Sequence, residues 1–253
     1  MYNKKHIDKS QLIYGTRAIM EALEKGKELE KILIQKGVQG DVVGEIIRIA
    51  YEAKVPYQFV PREKFYDFGN ANHQGVVAYI SPVQFQFVED IIPMVYEQGR
   101  TPLVLVLDRV TDVRNFGAIC RSALAGSVDV VVIPDRGSAR ISEDAVKTSA
   151  GALLTVPVCR SFNMKVTLDY LKDSGLQIVG CTEKGDREIS KVDFSIPTAI
   201  IMGSEEDGIS PEYLKKCDAK AKIPMLNQIG SLNVSVSAGI ILYEVAKQRL
   251  NVS

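Results

Sequence analysis

The stretch 103–123, LVLVLDRVTDVRNFGAICRSA, contains the local pattern that decides the fold class. Its first five residues are all Leu or Val, which is typical of a strand buried on both faces of a sheet. A polar loop follows, and the small and apolar residues after it predict a helix over 115–125. A buried strand that leads through a polar loop into a helix is the repeating unit of a parallel α/β sheet.

The same alternation continues to the end of the chain. Strands are predicted at 103–107, 128–133, 177–181, 198–202 and 219–223. Helices are predicted at 115–125, 142–153, 165–174, 211–217 and 235–249. The strands are rich in Val and Ile on both faces, so we predict an α/β domain over 102–253 with a mostly parallel sheet covered by helices on both sides.

A smaller α/β module is predicted over 12–80. The helices fall at 13–24, 41–54 and, after Pro61, up to 68; the strands fall at 31–35, 57–60 and 74–80. Residues 81–101 contain Pro82, Pro93 and Gly99, which predicts a linker with at most one helical turn around 88–98. Residues 1–11 are polar and basic, and they are predicted to be a flexible tail.

Composition excludes several classes of protein. The 253 residues include 31 basic and 31 acidic side chains, so the net charge is zero, which argues weakly against a nucleic-acid partner but leaves room for a local basic patch. The apolar runs are too short to span a bilayer and the start has no apolar signal core, so we expect a cytoplasmic protein without a membrane partner. The four cysteines form no Cys-x-x-Cys pair and there are two histidines, so no metal site is expected and the cysteines are predicted to be reduced and buried.

Ligands of open α/β sheets bind at the carboxyl ends of the strands, and the first loop of interest follows the strand 103–107. Asn115 is placed where a helix cap is expected, and Gly117 permits close approach of another backbone. Arg121 lies two turns into an apolar helix, where a charge is costly unless it is paired or used. Two interpretations stay open. Either Asn115 caps the helix and Arg121 pairs with a nearby carboxylate, or both residues belong to a functional site.

The second loop, IIMGSEEDGIS at 200–210, joins a buried strand to a helix that starts at Ser210. Gly203 and Gly208 flank a run of acids that includes Glu205. Such a loop can hold a hydroxylated or cationic ligand, but a phosphate cradle would need a lysine here. A solvated acidic turn is the alternative.

The third segment is IPMLNQIGSLNVSVSAGIILYE at 223–244. Ser231, Asn233 and Ser235 gather polar side chains at the start of a long helix, where backbone N–H groups lack partners. Capping alone explains one such residue better than three.

These three segments, in this order and spacing, resemble the three sequence motifs of the SpoU-type RNA ribose 2′-O-methyltransferases of the SPOUT superfamily. The residues that carry the resemblance are Asn115, Gly117 and Arg121 in the first motif, Gly203, Glu205 and Gly208 in the second, and Ile223, Pro224, Ser231, Leu232, Asn233 and Ser235 in the third. Residues 148–160 are also similar. The module at 12–80, with Gly15 and the sequence His73-Gln74-Gly75, resembles the L30e-like substrate-binding domain of the bacterial 23S rRNA guanosine-2′-O-methyltransferase subgroup.

The resemblance implies properties that the residue patterns alone do not give. It implies a deep trefoil knot in the C-terminal domain, a homodimer, and S-adenosyl-L-methionine (AdoMet) as cofactor without a metal. Thr182, Gly203, Ile223 and Leu232 would line the cofactor pocket, and Asn115, Arg121, Glu205, Ser231 and Asn233 would form the reaction centre. The general-base role that the family suggests for Arg121 conflicts with the chemistry of arginine, whose guanidinium is effectively always protonated in proteins, so we expect an electrostatic role instead.

The substrate that the resemblance implies is an RNA, specifically a guanosine in 23S rRNA, and not DNA, which has no 2′-hydroxyl. Three alternatives stay open. A tRNA ribose methyltransferase would share the chemistry, and a catalytically silent RNA-binding or ribosome-assembly factor would share the fold. A nucleotide-dependent dehydrogenase would need a Gly-x-Gly-x-x-Gly turn after a strand, which the sequence lacks.

Overall fold

The computed structural model describes residues 11–38, 40–226 and 230–250 and divides the chain into two compact units, Met1–Pro82 and Val83–Ser253. Of the predicted tail 1–11, only Gln11 lies within the described residues. The cores of the two units are separate, because the clusters of buried apolar side chains fall on either side of this division.

The first unit is a four-stranded sheet in the order β1-β4-β2-β3, with its two α-helices on one face and a 3₁₀ helix on the other. Its elements are β1 (Leu12–Tyr14), α1 (Thr16–Glu24), β2 (Leu29–Gln35), α2 (Asp41–Glu52), β3 (Tyr57–Val60), a 3₁₀ helix (Arg62–Phe68) and β4 (Val76–Ile80). Ile19 of α1 and Ile46 of α2 pack on one face of the sheet, and Phe65 and Phe68 of the 3₁₀ helix pack on the other. The predicted α/β module is therefore confirmed, with β2 and β3 parallel and the other pairs antiparallel.

The start of the first predicted helix is corrected by the structure. Residues 12–14 form β1, which pairs with β4, and α1 begins only at Thr16. Gly15 separates the two elements with φ of 83°, a left-handed conformation that glycine adopts without steric cost. The apolar spacing of 12–14 fits a helix equally well, so only the sheet pairing distinguishes the two.

The second unit is an eight-stranded sheet in the order β10-β12-β9-β11-β6-β7-β8-β5, and each of its strand pairs is parallel. Its strands are β5 (Phe85–Gln86), β6 (Leu103–Leu107), β7 (Val130–Pro134), β8 (Val158–Ser161), β9 (Gln177–Cys181), β10 (Arg187–Glu188), β11 (Thr198–Met202) and β12 (Ala219–Lys222). Its helices are α3 (Val88–Glu97), α4 (Val113–Ala125), α5 (Glu143–Thr148), α6 (Met164–Asp173), α7 (Pro211–Leu214) and α8 (Val234–Leu250). The predicted fold class, an α/β domain with a mostly parallel sheet, is confirmed.

Strand β6 shows why this sheet is covered on both sides. Leu103, Leu105 and Leu107 belong to the core that α4, α5 and α8 cover, whereas Val104 and Val106 belong to the core under α3 and α6. Side chains alternate between the two faces of a strand, and both faces are covered here, so all five side chains are buried. The uninterrupted Leu and Val run follows from this position in the middle of the sheet.

Most of the predicted linker belongs to the second unit. Strand β5 pairs with β8, and α3 buries Val88, Ile91, Ile92 and Val95 against the sheet. The spacing of these four residues is that of one helical face, and burying them outweighs the hydrogen bond that Pro93 cannot make inside the helix. The prolines and the glycine that predict a linker therefore flank or interrupt a helix.

Strand β8 was absent from the sequence prediction. It lies directly after the predicted helix 142–153, which the structure divides into α5 and a 3₁₀ helix (Ala152–Leu154). Gly151, with φ of 84°, ends the helical segment.

The order of strands sets the geometry of the site. Strand β11 lies between β6 and β9, although β9 precedes it in the chain, and β12 lies on the other side of β9. The carboxyl ends of β6, β11, β9 and β12 consequently lie side by side at one edge of the sheet. The strand order does not test the trefoil knot, which stays a prediction. None of the described helices is long and apolar enough to cross a membrane.

Candidate active site

A cavity of about 370 Å³ opens at the carboxyl ends of β9, β11 and β12. All four residues predicted to bind a cofactor line it, namely Thr182, Gly203, Ile223 and Leu232. Glu205 and Ser231, predicted for the reaction centre, line it as well. We call this the first cavity, and its volume is within the range of small-molecule sites.

The lining of the first cavity combines apolar and polar side chains. Met202, Ile223, Leu232 and Ile241 supply the apolar part. Burial raises the pKa of the Cys181 thiol to about 12, so this side chain is neutral at physiological pH. Among the polar side chains, the hydroxyl of Thr182 donates to the carboxylate of Glu183 at 3.2 Å.

The loop after β11 folds back on its own strand. Ser204 and Gly208 exchange backbone hydrogen bonds of 3.1 and 3.0 Å, and Gly208 has φ of 68°. A Cβ on Gly203 would lie 2.0 Å from the carbonyl carbon of Gly208, closer than any side chain can approach. Gly203 therefore lets the loop turn tightly, and the turn presents Glu205 at its tip.

Three candidate side chains from three different loops form a closed triangle of hydrogen bonds. Asn115 Nδ2 donates to Glu205 Oε1 at 2.9 Å, and Asn233 Nδ2 donates to the same oxygen at 2.8 Å. Asn233 Nδ2 also donates to Asn115 Oδ1 at 3.1 Å. The carboxylate of Glu205 is thereby fixed at the rim of the first cavity, between the starts of α4 and α8.

The cap of α4 is Asp112, which corrects the predicted capping role of Asn115. The carboxylate of Asp112 accepts a hydrogen bond of 2.8 Å from the backbone N–H of Asn115, so α4 begins two residues earlier than predicted. The Asn115 side chain is then free of the helix end and reaches Glu205. An Asp three residues before the Asn is the signal that could have located this cap in the sequence.

Asn233 combines a cap with a contact in the triangle. Its Oδ1 accepts hydrogen bonds from the backbone N–H groups of Ser235 at 2.9 Å and Val236 at 3.3 Å, and from the Ser235 hydroxyl at 2.6 Å. Its Nδ2 faces Glu205, as described above. The third segment was open to interpretation as a helix cap. That interpretation is correct for the Asn233 side-chain oxygen, while its amino group belongs to the site.

Two residues that the sequence analysis did not select hold the Glu205 loop in place. Asp108, 2% exposed, accepts a hydrogen bond of 2.6 Å from the backbone of Ser210. Arg109 adopts φ of 59°, contacts Asp108 Oδ1 at 3.1 Å and Asp207 Oδ2 at 2.8 Å, and its hydrogen bond with Asp108 raises its pKa. An Asp-Arg pair directly after a fully apolar strand is the signal in the sequence, because charges are rarely buried unless they are paired.

A second cavity, of about 280 Å³, lies on the other side of the Glu205 loop. Asn115, Arg109 and Asp112 line it, and Glu205 lines both cavities. The hydrogen-bonded triangle therefore stands between two spaces. A reaction between two ligands, one in each cavity, would take place beside Glu205.

The remaining two motif residues of α4 lie elsewhere. Gly117 is buried where α4 meets α5, and a Cβ there would lie 2.8 Å from the carbonyl oxygen of Ala145, which accounts for the predicted close approach. Arg121 is exposed, lines neither cavity, and makes no hydrogen bond or ion pair with the residues that the structure describes. It follows Asn115 by six residues, about 9 Å along the helix and about 120° around it. The structure therefore brings Asn115, Glu205 and Asn233 together, but not Arg121.

Comparison with known proteins identifies the family. The profile of the SpoU rRNA Methylase family matches residues 102–243, and a profile described as RNA 2′-O ribose methyltransferase substrate binding matches residues 12–86. The chain belongs to the SpoU rRNA methylase family. The resemblance drawn from the three motifs is thus confirmed, together with the enzyme class, an RNA methyltransferase.

Individual relatives agree with this family over nearly the whole chain. A Staphylococcus aureus protein whose name places it in the TrmH family of tRNA/rRNA methyltransferases is 37% identical over 241 residues, 95% of this chain and 97% of the relative. The crystal structure of the SpoU methyltransferase AviRb from Streptomyces viridochromogenes in complex with AdoMet superposes with a TM-score of 0.61 at 26% identity, covering 95% of this chain and 90% of AviRb. The A. aeolicus TrmH/SpoU tRNA modifying enzyme superposes with a TM-score of 0.55 at 30% identity, covering 64% of this chain and 84% of the enzyme.

Proposed function

We propose that this SpoU-family chain transfers the methyl group of AdoMet to the ribose 2′-hydroxyl of a guanosine in 23S rRNA. The observation that carries the proposal is the triangle of Asn115, Glu205 and Asn233 at the rim of the first cavity. It fixes a carboxylate between two cavities, one for a cofactor and one for a ribose.

The first cavity fits AdoMet. Apolar side chains and backbone groups suit a flat adenine ring, and the Thr182–Glu183 pair offers oxygens to the hydroxyls of a ribose. Glu205 and Glu206, which also line the cavity, complement the positive charges of the methionyl part. Relatives in this family include AviRb, whose crystal structure contains AdoMet.

When bound, AdoMet supplies a methyl group on a sulfonium, which passes to the ribose 2′-oxygen as the carbon–sulfur bond breaks. Glu205 uses Oε1 for the two asparagines, and its Oε2 has no hydrogen-bond partner among the described residues. We assign to Oε2 the hydrogen bond from the 2′-hydroxyl and the receipt of its proton. A positioned general base of this kind contributes about 10²–10⁴-fold to a rate. Asn115 and Asn233 position the carboxylate.

Arg121 acts, in this proposal, in the site of a second copy of the chain. It is the predicted electrostatic residue, yet it lies on another side of α4 from Asn115 within one copy. Exposed apolar side chains lie on the same pair of helices. Leu124 follows Arg121 by three residues on α4, and α8, which packs against α4, carries Val236 and Tyr243. A homodimer through α4 and α8 would bury these residues, and it would carry Arg121 towards its partner's Glu205.

Ribosomal RNA is favoured as the substrate by the first unit. Residues 12–86 match a substrate-binding domain of RNA 2′-O ribose methyltransferases, whereas the superposition with the A. aeolicus tRNA modifying enzyme covers only 64% of this chain. Because the A. aeolicus enzyme acts on tRNA, a tRNA substrate is the second candidate. A silent RNA-binding factor would not need the Glu205 triangle.

A methyl-transfer assay tests the proposal. Purified protein and radiolabelled AdoMet are incubated with unmodified 23S rRNA and, separately, with bulk tRNA, and the labelled nucleoside is identified after nuclease digestion. The proposal expects 2′-O-methylguanosine from rRNA and its loss in the Glu205→Gln variant. Label in tRNA would overturn the substrate, and binding of RNA without transfer to either would favour the silent factor.

A further inference from the structure

A third cavity, of about 510 Å³, opens at the carboxyl ends of β6, β7 and β8, outside the candidate active site. Phe162, Asp135, Arg136 and Lys165 line it, and Arg109 lines both this cavity and the second cavity. We call it the Phe162 cavity. It therefore adjoins the proposed ribose site through Arg109, on the side away from the cofactor.

An exposed aromatic ring forms one wall. Phe162 follows β8 directly and is 46% exposed. Its neighbours are held firmly: the buried Ser161 hydroxyl shares a hydrogen bond of 2.8 Å with Thr167, and Asn163 caps α6. A ring held on a rigid strand end beside open space is a platform on which a flat ligand can stack.

The charges of the cavity cancel in pairs. Arg109 contacts Asp108 at 3.1 Å, Arg136 contacts Asp135 at 3.5 Å, and Lys165 contacts Glu212 at 2.6 Å. Three basic and three acidic groups leave no net charge for a phosphate. The lining thus favours a neutral, flat ligand with polar edges, which is the chemistry of a nucleobase.

Asp135 is the group best placed to recognise the edge of such a ligand. Its side chain is 21% exposed, and its backbone is tied to β8 by a hydrogen bond of 3.0 Å to the carbonyl of Ser161. Its carboxylate faces Arg136, which is 81% exposed and only loosely in contact. A carboxylate accepts hydrogen bonds from the amino groups of bases, as it does from cytosine in nucleic-acid recognition.

We propose that the Phe162 cavity binds an unpaired nucleobase next to the methylated nucleotide, stacked on the Phe162 ring and hydrogen-bonded to Asp135. The inference rests on the proposed function, because it needs an RNA substrate whose target ribose lies in the second cavity. Unpaired bases stacked on aromatic side chains are the usual means of recognising RNA loops.

Fluorescence gives a direct test, because the chain contains no tryptophan. Phe162→Trp introduces a single indole at the cavity wall, and Val166→Trp introduces one at a 60% exposed position on α6 outside the cavity. Each variant is titrated with unmodified 23S rRNA and with bulk tRNA, while filter binding records the bound fraction. We expect saturable quenching in F162W that follows RNA binding, and little change in V166W.

Kinetics give an independent measure. Phe162→Ala should raise the KM for RNA roughly 5- to 150-fold, the range expected for one lost stacking contact, with AdoMet affinity unchanged. Phe162→Tyr should restore the KM, and Val166→Ala should match the wild type. RNA binding that leaves F162W emission unchanged, or an unaltered KM in F162A, would overturn the inference while the proposed function stands. Failure of the wild type to bind either RNA would overturn both.

Discussion

Mixing two inactive variants of this chain should restore methyl transfer if Arg121 acts in the site of a second copy. Arg121→Ala removes the charge that stabilises the developing oxyanion, and losses of this kind are about 10²–10³-fold. Glu205→Gln removes the proposed proton acceptor, which should cost about 10²–10⁴-fold. Each variant alone therefore retains about 1% of the activity or less.

The size of the recovery follows from the geometry. Within one copy, Arg121 is about 9 Å along α4 and about 120° around it from Asn115, so it does not share the face that reaches Glu205. In a twofold-symmetric dimer, an Arg121→Ala chain keeps its own Glu205 and receives Arg121 from a Glu205→Gln partner. Random mixing makes about half of the dimers hybrid, each with one intact site of two, so about a quarter of wild-type activity should return.

The assay is incorporation of labelled methyl groups into rRNA after the two variants are mixed under conditions that exchange subunits. Size-exclusion chromatography with light scattering verifies that both variants dimerise, and Val166→Ala in place of Arg121→Ala serves as a mixing control. If Arg121 acts within its own chain, every hybrid lacks one essential group in each site. Activity that stays at the residual level despite confirmed hybrid dimers would refute the reasoning.

Three further predictions concern stability. Asp112→Ala removes the cap of α4 and should lower stability by about 1 kcal/mol, seen as a Tm decrease of roughly 2–4 °C. Gly203→Ala places a Cβ 2.0 Å from the Gly208 carbonyl carbon and should cost at least about 1–3 kcal/mol in urea unfolding, whereas an unchanged midpoint would show that the loop yields. Burial alone would raise the pKa of Asp218, but hydrogen bonds from Lys172 and a backbone amide outweigh it and lower the pKa. Because the folded-state pKa is lowered, the carboxylate stabilises the fold above about pH 4 and loses this effect as pH falls through the folded-state pKa; the difference in unfolding free energy between wild type and Asp218→Asn should shrink correspondingly.

The elements of the sheet could be predicted where one local pattern had one physical meaning. The run of Leu and Val in β6 is typical of a strand buried on both faces, and the structure buries all five of its residues. For α3, the sequence predicts only one helical turn within a linker around 88–98, because Pro93 suggests a break, although the apolar residues around it lie on one helical face. The strand β1 was mistaken for helix because three apolar residues fit either period, and the pairing with β4 is a long-range contact that no local window contains.

The candidate site shows a similar division. Asn115, Glu205 and Asn233 stand out from the chemistry of loops at strand ends, whereas the cofactor-binding candidates follow from the family resemblance, and these candidates do line one cavity. The triangle could not be derived from spacing, because Asn115 and Glu205 are separated by 90 residues and meet only through the order of β6 and β11 in the sheet. The supporting pair, Asp108 and Arg109, carries a local signal as an Asp-Arg pair after an apolar strand, but its contacts with Ser210 and Asp207 belong to a distant loop and could not be read from the sequence.

The place of β11 connects the fold to the proposed chemistry. A parallel sheet built in chain order would leave the ends of β6 and β11 apart, and Asn115 could not reach Glu205. Inserting β11 between β6 and β9 places the Glu205 loop directly beside the start of α4, where Asp108 and Arg109 hold it. Connections that thread a chain through itself are rare because they are hard to form. If the predicted knot is present, it accompanies a strand order in which β11 lies between two strands that precede it in the chain, and this order is what brings the three distant loops of the site together.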